Sequence, residues 1–419
     1  MQRYTGMIGI IAIFAFAYLL STDRKRIQFK TILTGFILQI VFALFIFKVP
    51  LGRFIFLEIG KFIEKLLIFA LHGGQIVFGG LLEKPFELSF CHGAHIFTLQ
   101  LICSSIFMMV LVNILYYYGI MQRIVSVLGK AMNKLMKVSG AEALCSVANS
   151  FVGQIVAQIM IRPYLKDLTR SEVLTCMAGS MACISGAIMP VYIGMGIPAA
   201  YILASSVMAA PGAIVISKIM YPEDDKPKTG AHIELKTERS HVNIIDSISS
   251  GASDGMRVGI SVSAMIIAFV ALVALLDWTL GGIGSFLYYN LHIGLSWLPS
   301  LSLKFILGKI FSLLALIMGV PYKDITVVGG LMGEKIVLNE MVAYLDLISI
   351  KHLISEKSFL IASFALCSFG NIGSIAIQIA GIGELAPEQR KNLAQLGIRA
   401  LICGTLTCYM SAAIAGILF

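Results

Sequence analysis

The sequence predicts an all-α polytopic membrane protein that contains two re-entrant helical hairpins in inverted repeats. Of its 419 residues, 58% are hydrophobic and only 13% are charged, which makes the chain far more apolar than a soluble domain. Apolar stretches of about 20 residues, long enough to cross roughly 30 Å of hydrocarbon, recur along the chain. One pattern of broken apolar segments occurs twice in the same order. These three observations together indicate the fold class.

Nine apolar stretches are candidates for membrane spans. The first is followed by a charged run at 23–26 with no small-residue cleavage site before it, so we interpret it as a retained span and not as a secretory signal. The stretches cover 6–22, 31–49, 96–118, 172–193, 197–217, 258–276, 300–320, 358–381 and 397–419.

Charged and metal-ligating residues argue against several classes of function. The net charge is +9, but Lys and Arg collect beside the apolar stretches, where they set membrane orientation. We therefore expect no nucleic-acid partner. The eight Cys and seven His residues form neither a CxxC pair nor an HExxH motif, and no nucleophile is paired with a base. We expect no enzyme and no cofactor.

Basic residues in short loops predict the orientation of the chain. Four Lys and Arg residues place 23–30 in the cytoplasm, so that the N- and C-termini and the segment 50–94 lie outside. The polar stretch 221–255 is predicted to be a cytoplasmic linker. The segment 285–303 is rich in aromatic residues and Ser, which is typical of an external interface.

An amphipathic helix is predicted to lie on the inner membrane surface after the third span. Its basic residues share one face and its apolar residues share the opposite face, as in interfacial helices. The basic residues are Arg123, Lys130, Lys134 and Lys137, and the apolar residues are Met121, Val125, Leu128, Met132 and Leu135.

An internal repeat organises the chain. Residues 153–165 align with 333–345, pairing Gly153 with Gly333, and 171–188 align with 355–372. The first part of each copy is broken by polar residues and Gly, and its apolar flanks are too short for two spans, so each copy predicts a re-entrant hairpin. Three spans separate the copies. Because this number is odd, the second copy is expected to be inverted.

Polar residues inside the apolar repeats mark the candidate site, because they are costly in a membrane unless they line protein or a wet cavity. They cluster at 149–154, 183–186, 339–340 and 368–374. Amide, carboxylate and hydroxyl groups beside an aromatic face suit a neutral ligand with hydroxyl groups and a flat ring. The set favours a nucleoside-like ligand over an ion or a lipid.

Each of these residues has a functional and a structural interpretation. Glu340 is an ionisable group in an apolar hairpin and must find a hydrogen-bond donor, which a hydroxylated ligand would supply; the alternative is a helix cap. Asn371 and Ser374, beside Phe369, share one helix face as ligand-binding groups or as packing contacts between helices. Gln154 binds a ligand or caps the hairpin tip.

A family resemblance is carried by five stretches, KVSGAEALCSVANSFVGQ (137–154), IRPYLKDLTRSE (161–172), YIGMGIPAAYILASSVMAAPGAI (192–214), LNEMVAY (338–344) and ALCSFGNIGSIAI (365–377). Through them the chain resembles the concentrative nucleoside transporters over nearly its whole length. The resemblance implies a homotrimer whose protomers have eight spans and two opposed hairpins around one nucleoside.

The resemblance divides the chain into four units. Residues 1–139 are expected to form N-terminal spans and the interfacial helix, and 140–220 the first repeat. Residues 221–319 are expected to hold the linker, a long span and an external interfacial helix at 300–320, and 320–419 the second repeat.

The resemblance also implies roles for individual residues. Gln154 is expected to contact the base of the nucleoside. Glu340, Asn371 and Ser374 are expected to hold the ribose hydroxyl groups, with Phe369 packing nearby.

A sodium site is implied between the tip of the first hairpin and the unwound fourth span. It would use the side chain of Asn149 and the carbonyls of Val152 and Ile184. Cys183 stands where the family often has a serine, and a thiol is a poor ligand for a hard cation.

The first hairpin departs from the family pattern. After Gly153 and Gln154 the family has Thr, Ser or Asn followed by Glu, and this chain has Ile155 and Val156. The hydroxyl and the carboxylate on the base side are therefore missing. Gln158 replaces a family proline and is a candidate for an additional polar contact.

The predicted function is import of nucleosides across the bacterial inner membrane by a secondary active transporter, coupled to Na⁺ or to H⁺. One alternative keeps the fold but carries another hydroxylated solute or works as an uncoupled facilitator. Another is a non-transporting membrane sensor. The expected partners are a nucleoside, membrane lipid and the other subunits of the trimer.

Overall fold

The computed structural model describes residues 2–82, 97–186, 188–229, 242–290, 292 and 295–419. These residues form helices and turns and contain no strand. Residues 83–94 of the predicted external segment and 230–241 of the predicted linker lie outside the described residues. The helices are Gln2–Leu19, Phe29–Phe47, Pro50–Phe78, Phe97–Tyr117, Ile120–Met136, Gly140–Val152, Val156–Met160, Arg162–Leu165, Arg170–Ala182, Met189–Gly194, Ala199–Met220, Ile244–Tyr289, Leu303–Ile317, Ile325–Val337, Glu340–Ser349, Glu356–Leu366, Ile372–Leu385 and Arg390–Leu418.

Five helices in the described part of the chain are long and apolar enough to cross a membrane: Phe29–Phe47, Thr98–Tyr117, Ala199–Met220, Ile244–Tyr289 and Pro387–Leu418. Thr5–Leu19 and Ile372–Leu385 are shorter apolar helices. The predicted stretches 172–193 and 358–381 are divided into shorter helices by glycine and polar residues, and the stretch 300–320 forms one 15-residue helix, Leu303–Ile317.

Two helical hairpins have the form that the repeat predicts. Hairpin 1 (140–165) runs through Gly140–Val152, a turn, and two short helices, and hairpin 2 (325–349) consists of Ile325–Val337 and Glu340–Ser349. The first helix of each hairpin is 13 residues long. The two hairpins can therefore be compared position by position along these helices. Their opposite orientation in the membrane stays a prediction.

The first part of the repeat alignment is wrong in its register. Gly153 lies at the tip of hairpin 1 with φ of 92°, a conformation that favours glycine. Gly333 lies inside the helix Ile325–Val337, and the tip of hairpin 2 follows at 338–339. Position 333 requires glycine for a different reason, because a Cβ there would collide with the side chain of Leu307.

Two helices are broken in the middle, as the glycine-rich segments predict. Broken helix 1 consists of Arg170–Ala182 and Met189–Gly194, and broken helix 2 of Glu356–Leu366 and Ile372–Leu385. The breaks meet, because the N–H of Phe369 donates to the carbonyl of Cys183 at 3.4 Å. This contact brings the polar clusters of both repeats together at the centre of the fold.

The 46-residue helix Ile244–Tyr289 corrects two predicted boundaries. The polar linker predicted at 221–255 ends at Asn243, whose side chain caps the helix by accepting from the N–H of Asp246. Residues 285–289 of the predicted external segment also belong to this helix. The small, polar residues at its start are helical because they pack closely against Phe97–Tyr117.

Gly255 is expected to tolerate no larger residue, since a Cβ there would lie 2.6 Å from the carbonyl oxygen of Ser105. Glycines spaced by four residues allow such close helix packing. We expect Gly255→Ala to destabilise the purified protein by about 1–3 kcal/mol in thermal melting. Gly282 on the same helix meets nothing within 4 Å, so Gly282→Ala is the matched control and is expected to be neutral or slightly stabilising. Equal effects of the two substitutions would contradict the packing argument.

The predicted amphipathic helix forms at Ile120–Met136, and its place on the inner membrane surface stays a prediction. Met121, Val125 and Met132 are buried against the protein, whereas Leu128 and Leu135 are 42% and 52% exposed. The buried stripe follows the helical period of 3.6 residues, and positions 128 and 135 fall at its edge. The predicted apolar face is therefore wider than the face that packs against the protein.

Candidate functional site

Glu340 lies at the centre of the candidate site. It is the first residue of the second helix of hairpin 2 and is 6% exposed. The hydroxyl of Tyr192 donates to its Oε1 at 2.9 Å, and Nδ2 of Asn371 donates to its Oε2 at 3.2 Å. An ionised carboxylate has about four acceptor positions, so these two bonds leave capacity for ligand hydroxyl groups.

The N-cap of this helix is Asn339, not Glu340. Oδ1 of Asn339 accepts from the N–H of Val342 at 3.0 Å. The N-cap position, which the sequence left open as a structural alternative for Glu340, is therefore held by Asn339. Its carboxylate instead joins hairpin 2 to broken helices 1 and 2.

Asn371 and Ser374 lie together at the start of the second half of broken helix 2. Oδ1 of Asn371 accepts from the N–H of Ser374 at 2.9 Å and from its Oγ at 3.1 Å. Because Nδ2 of Asn371 reaches Glu340, the amide both caps its own helix and contacts another. The structure thus brings Glu340, Asn371 and Ser374 into one buried group, with Phe369 in the adjacent break.

Gln154, at the tip of hairpin 1, faces the same helix. Nε2 of Gln378 donates to Oε1 of Gln154 at 3.5 Å and to the carbonyl of Met177 at 3.3 Å. Gln378 follows Ser374 by one helical turn and lies on the same face. Gln154 is therefore placed along the face that carries Asn371 and Ser374.

Ile155 and Val156, the departures from the family pattern, have different surroundings. A Cβ on Gly381 would lie 2.4 Å from Cδ1 of Ile155, so this isoleucine packs tightly against broken helix 2. Val156 is 37% exposed. The first hairpin thus presents an apolar side chain to broken helix 2 beside the amide of Gln154.

Asn149 is fully buried in the first helix of hairpin 1. Its Oδ1 accepts from Oγ of Ser180 at 3.0 Å, and its Nδ2 donates to the carbonyl of Cys176 at 3.5 Å. Val152 ends the helix and Ile184 lies in the break of broken helix 1, where carbonyls lack helical partners. An amide oxygen and carbonyl oxygens are the donors that a hard cation prefers.

Two other predicted residues bond elsewhere in this region. The thiol of Cys183 donates to the carbonyl of Gly179 at 3.2 Å, so it is oriented as a donor. Nε2 of Gln158 donates to Oγ of Ser180 at 3.2 Å and to the carbonyl of Cys176 at 3.4 Å. The structure therefore places Gln158 in the hydrogen-bond network of Asn149.

Tyr192, Gln378 and Ser180 belong to the site but were not predicted. Gln378 lies in an otherwise apolar segment and carried the same signal as Asn371. Tyr192 gave no such signal, because a tyrosine in a membrane segment is common. Within the described residues, no group of three or more His, Cys, Asp or Glu side chains could hold a metal ion.

Comparison with protein families gives three consecutive matches. The models describe the "Na+ dependent nucleoside transporter N-terminus" (8–81), "Nucleoside recognition" (98–199) and the "Na+ dependent nucleoside transporter C-terminus" (201–416). Together they span almost the whole chain.

Individual relatives agree with these matches. The nucleoside permease NupC of Helicobacter pylori is 33% identical over 98% of this chain and 97% of its own length. Solute carrier family 28 member 3 of Homo sapiens is 31% identical, over 100% of this chain and 60% of its own. The structure of CNTnw in an inward-facing substrate-bound state has a TM-score of 0.91 and 36% identity, covering 100% of this chain and 98% of CNTnw.

These matches confirm the predicted helical polytopic membrane fold and the predicted resemblance to concentrative nucleoside transporters. The relatives are transporters, and this chain is not an enzyme. On this sequence and structural similarity, the chain belongs to the family of Na⁺-dependent nucleoside transporters.

Proposed function

We propose that this chain imports nucleosides across the bacterial inner membrane by symport with Na⁺, as a homotrimer. The observation that carries the proposal is the buried group formed by Glu340, Asn371, Ser374 and Tyr192 where hairpin 2 meets the two broken helices. Acceptors and donors lie side by side there, as vicinal hydroxyl groups require. The ribose of a nucleoside presents such a pair.

The two halves of the site would bind different parts of the ligand. Glu340 and Asn371 bind the ribose hydroxyl groups, with Ser374 supporting Asn371. Gln154 reads the base with one amide, and Phe369 packs nearby. Because Ile155 offers no hydrogen bond, this half discriminates between bases by shape and by the single amide. The chain is therefore expected to accept several bases.

The coupling ion would bind at the tip of hairpin 1. Oδ1 of Asn149 and the carbonyl oxygens of Val152 and Ile184 would be the ligands of the ion. Na⁺ is transported together with the nucleoside and is not a resident cofactor. The thiol of Cys183 takes no part in this proposal, since it donates to Gly179. The matching families are Na⁺-dependent nucleoside transporters, which favours Na⁺ over H⁺ as the coupling ion.

The orientation of the chain in the membrane is part of the same proposal. So is its division into the four units expected from the sequence, 1–139, 140–220, 221–319 and 320–419. Gly6 lies against Ile417, so the two ends of the chain lie on one side. Arg26 donates to the carbonyl of Asp224 at 3.1 Å, which puts the first basic loop beside the start of the linker. Positively charged loops favour the cytoplasm, which leaves both termini outside.

Binding and uptake of nucleosides test this function. Purified protein is expected to melt at a higher temperature with nucleosides, and the increase is expected to be larger in NaCl than in choline chloride. Uptake into proteoliposomes should collapse when choline replaces sodium. Uptake driven by a pH gradient would indicate that H⁺, not Na⁺, is the coupling ion. Uptake that depends on neither gradient would indicate a facilitator. If no nucleoside shifts the melting temperature, the proposed ligand class is wrong.

Asn149→Leu is expected to weaken the binding of sodium. The substitution keeps the size of the side chain but deletes the oxygen donor, and a contact to a charged group contributes about 1.5–3 kcal/mol. We expect the half-saturating sodium concentration for uptake to rise at least about tenfold. Cys183→Ala is the matched control and is expected to leave this concentration unchanged. The assignment fails if the two variants respond to sodium alike.

A further inference from the structure

Lys335 is a buried cation that the proposed transport cycle does not use. It lies near the end of the first helix of hairpin 2 and is 0% exposed. Its Nζ has no hydrogen-bond partner among the described residues. A buried ammonium without a compensating group is costly, so the charge needs an explanation.

The immediate surroundings of Lys335 are neutral. Its Nζ lies 3.3 Å from the position of a Cβ on Gly370, and the same position lies 3.2 Å from Oγ1 of Thr405. The ring centroid of Tyr409 is 5.9 Å from Nζ. Gly370 directly precedes Asn371, whose Nδ2 donates to Oε2 of Glu340 at 3.2 Å. The Lys335 ammonium therefore lies beside the segment that contacts the Glu340 carboxylate.

Glu340 is a buried anion that has no cation in direct contact with it among the residues that the structure describes. Its two side-chain partners, Tyr192 and Asn371, are neutral donors. Lys335 is the buried cation beside Gly370, the residue that precedes Asn371. The two charges form no ion pair within 4 Å, but charges in a poorly polarisable interior interact strongly over longer distances than in water. Because they are not in contact, Lys335 occupies none of the acceptor positions of the carboxylate.

We infer that Lys335 is the counter-charge of Glu340 and keeps the buried carboxylate ionised, as an acceptor for ligand hydroxyl groups, without contacting the ligand. Lys335 is thus a positioning residue of the site, and its effect on the ligand rests on the proposed function. The two residues flank the tip of hairpin 2. They would therefore move together in any displacement of this hairpin, and the pair would carry no net charge.

Hairpin 1 provides an internal comparison. Its first helix has the same length as that of hairpin 2, and the position that corresponds to Lys335 is Ser150. The tip of hairpin 1 carries Gln154, Ile155 and Val156 and has no carboxylate. The buried lysine is therefore present in the hairpin that has a buried carboxylate at its tip, and absent from the hairpin that has none.

A double-mutant cycle tests the pair without any ligand. Lys335→Met and Glu340→Gln each leave one uncompensated charge and are expected to lower the melting temperature of the purified protein. The double variant removes both charges. Its decrease in melting temperature is expected to be smaller than the sum of the decreases of the two single variants. If Lys335→Met alone fails to fold, rescue by Glu340→Gln is the expected result. Strict additivity, or no rescue, would overturn the pairing.

Glu334→Gln supplies the matched control for this cycle. Glu334 precedes Lys335 in the chain and is buried, but its electrostatic partners include Lys304, Asp346 and Asp277. Its effect is expected to be additive with that of Lys335→Met. Coupling of Lys335 to Glu334 as strong as its coupling to Glu340 would also overturn the pairing.

Ligand binding tests the second half of the inference. Lys335→Arg keeps the charge and is expected to bind nucleosides, whereas Lys335→Met is expected to lose at least about tenfold in affinity. Full affinity of a folded Lys335→Met protein would overturn the positioning role. The two parts can fail separately. If the double-mutant cycle shows coupling between Lys335 and Glu340 but the protein binds no nucleoside, the charge pair is supported and the proposed function is refuted.

Discussion

Replacing Glu340 with Gln is expected to abolish nucleoside binding and uptake. The amide presents an NH₂ group in place of one oxygen and so meets either the hydroxyl of Tyr192 or the amide of Asn371, both of which donate to the native carboxylate. A hydrogen bond to a charged group contributes about 1.5–3 kcal/mol, and two ribose hydroxyl groups are proposed to use this carboxylate. We therefore expect affinity to fall about 100-fold or more, measured by calorimetry and by uptake of labelled nucleoside.

The control for this substitution is Glu334→Gln on the same hairpin. Glu334 is also buried but interacts with Lys304 and Asp346 instead of the candidate site. Uptake by this variant is expected to remain close to that of the native protein when both are expressed at equal levels. Native uptake by Glu340→Gln would remove Glu340 from the binding site.

Replacing Lys218 with Met is expected to have the largest effect on stability. Its Nζ lies 2.8 Å from Glu142 and 2.9 Å from Glu223 and donates to Oγ of Ser171 at 3.0 Å. The cluster joins the start of hairpin 1, the start of broken helix 1 and the end of Ala199–Met220. Removing the ammonium leaves the buried carboxylate of Glu142 and the partly buried carboxylate of Glu223 without their cation, and breaking a buried ion pair in this way costs about 3–5 kcal/mol. Thermal melting and the yield of folded protein measure the loss.

Lys228→Met is the surface counterpart of this variant. Lys228 pairs with Asp167 at 2.9 Å, but its side chain is 72% exposed, and exposed ion pairs contribute little. The melting temperature is expected to stay unchanged. If Lys218→Met is as harmless as Lys228→Met, the buried cluster does not stabilise the fold.

Local patterns in the sequence were sufficient to predict most of the fold. Long apolar stretches predicted the helices, and glycine with polar residues predicted the breaks and the hairpins, because each depends on residues that are close in the chain. The register of the repeat was wrong at Gly333, since a glycine can serve a turn or close packing and the sequence does not distinguish them. The linker boundary was wrong because the capping residues Asn243 and Asp246 lie in a generally polar stretch.

The candidate site was predicted only in part. Glu340 and Asn371 were identified as unusual polar residues in apolar segments, but which side chains contact which depends on the packing of distant helices. Tyr192 contacts Glu340 across 148 residues of chain and had no local signal. Lys335 had the same signal as Glu340, an ionisable group in an apolar hairpin. The binding roles of all these residues stay predictions.

The affinity of the purified protein for uridine and for 2′,3′-dideoxyuridine in sodium tests the central claim most directly. Our account holds that Glu340 and Asn371 bind the ribose hydroxyl groups, and a site built to bind a hydroxyl group rejects an analogue that lacks it. Calorimetry is expected to show an affinity at least about 100-fold lower for the dideoxynucleoside. Equal affinity for the two ligands would contradict the proposed site.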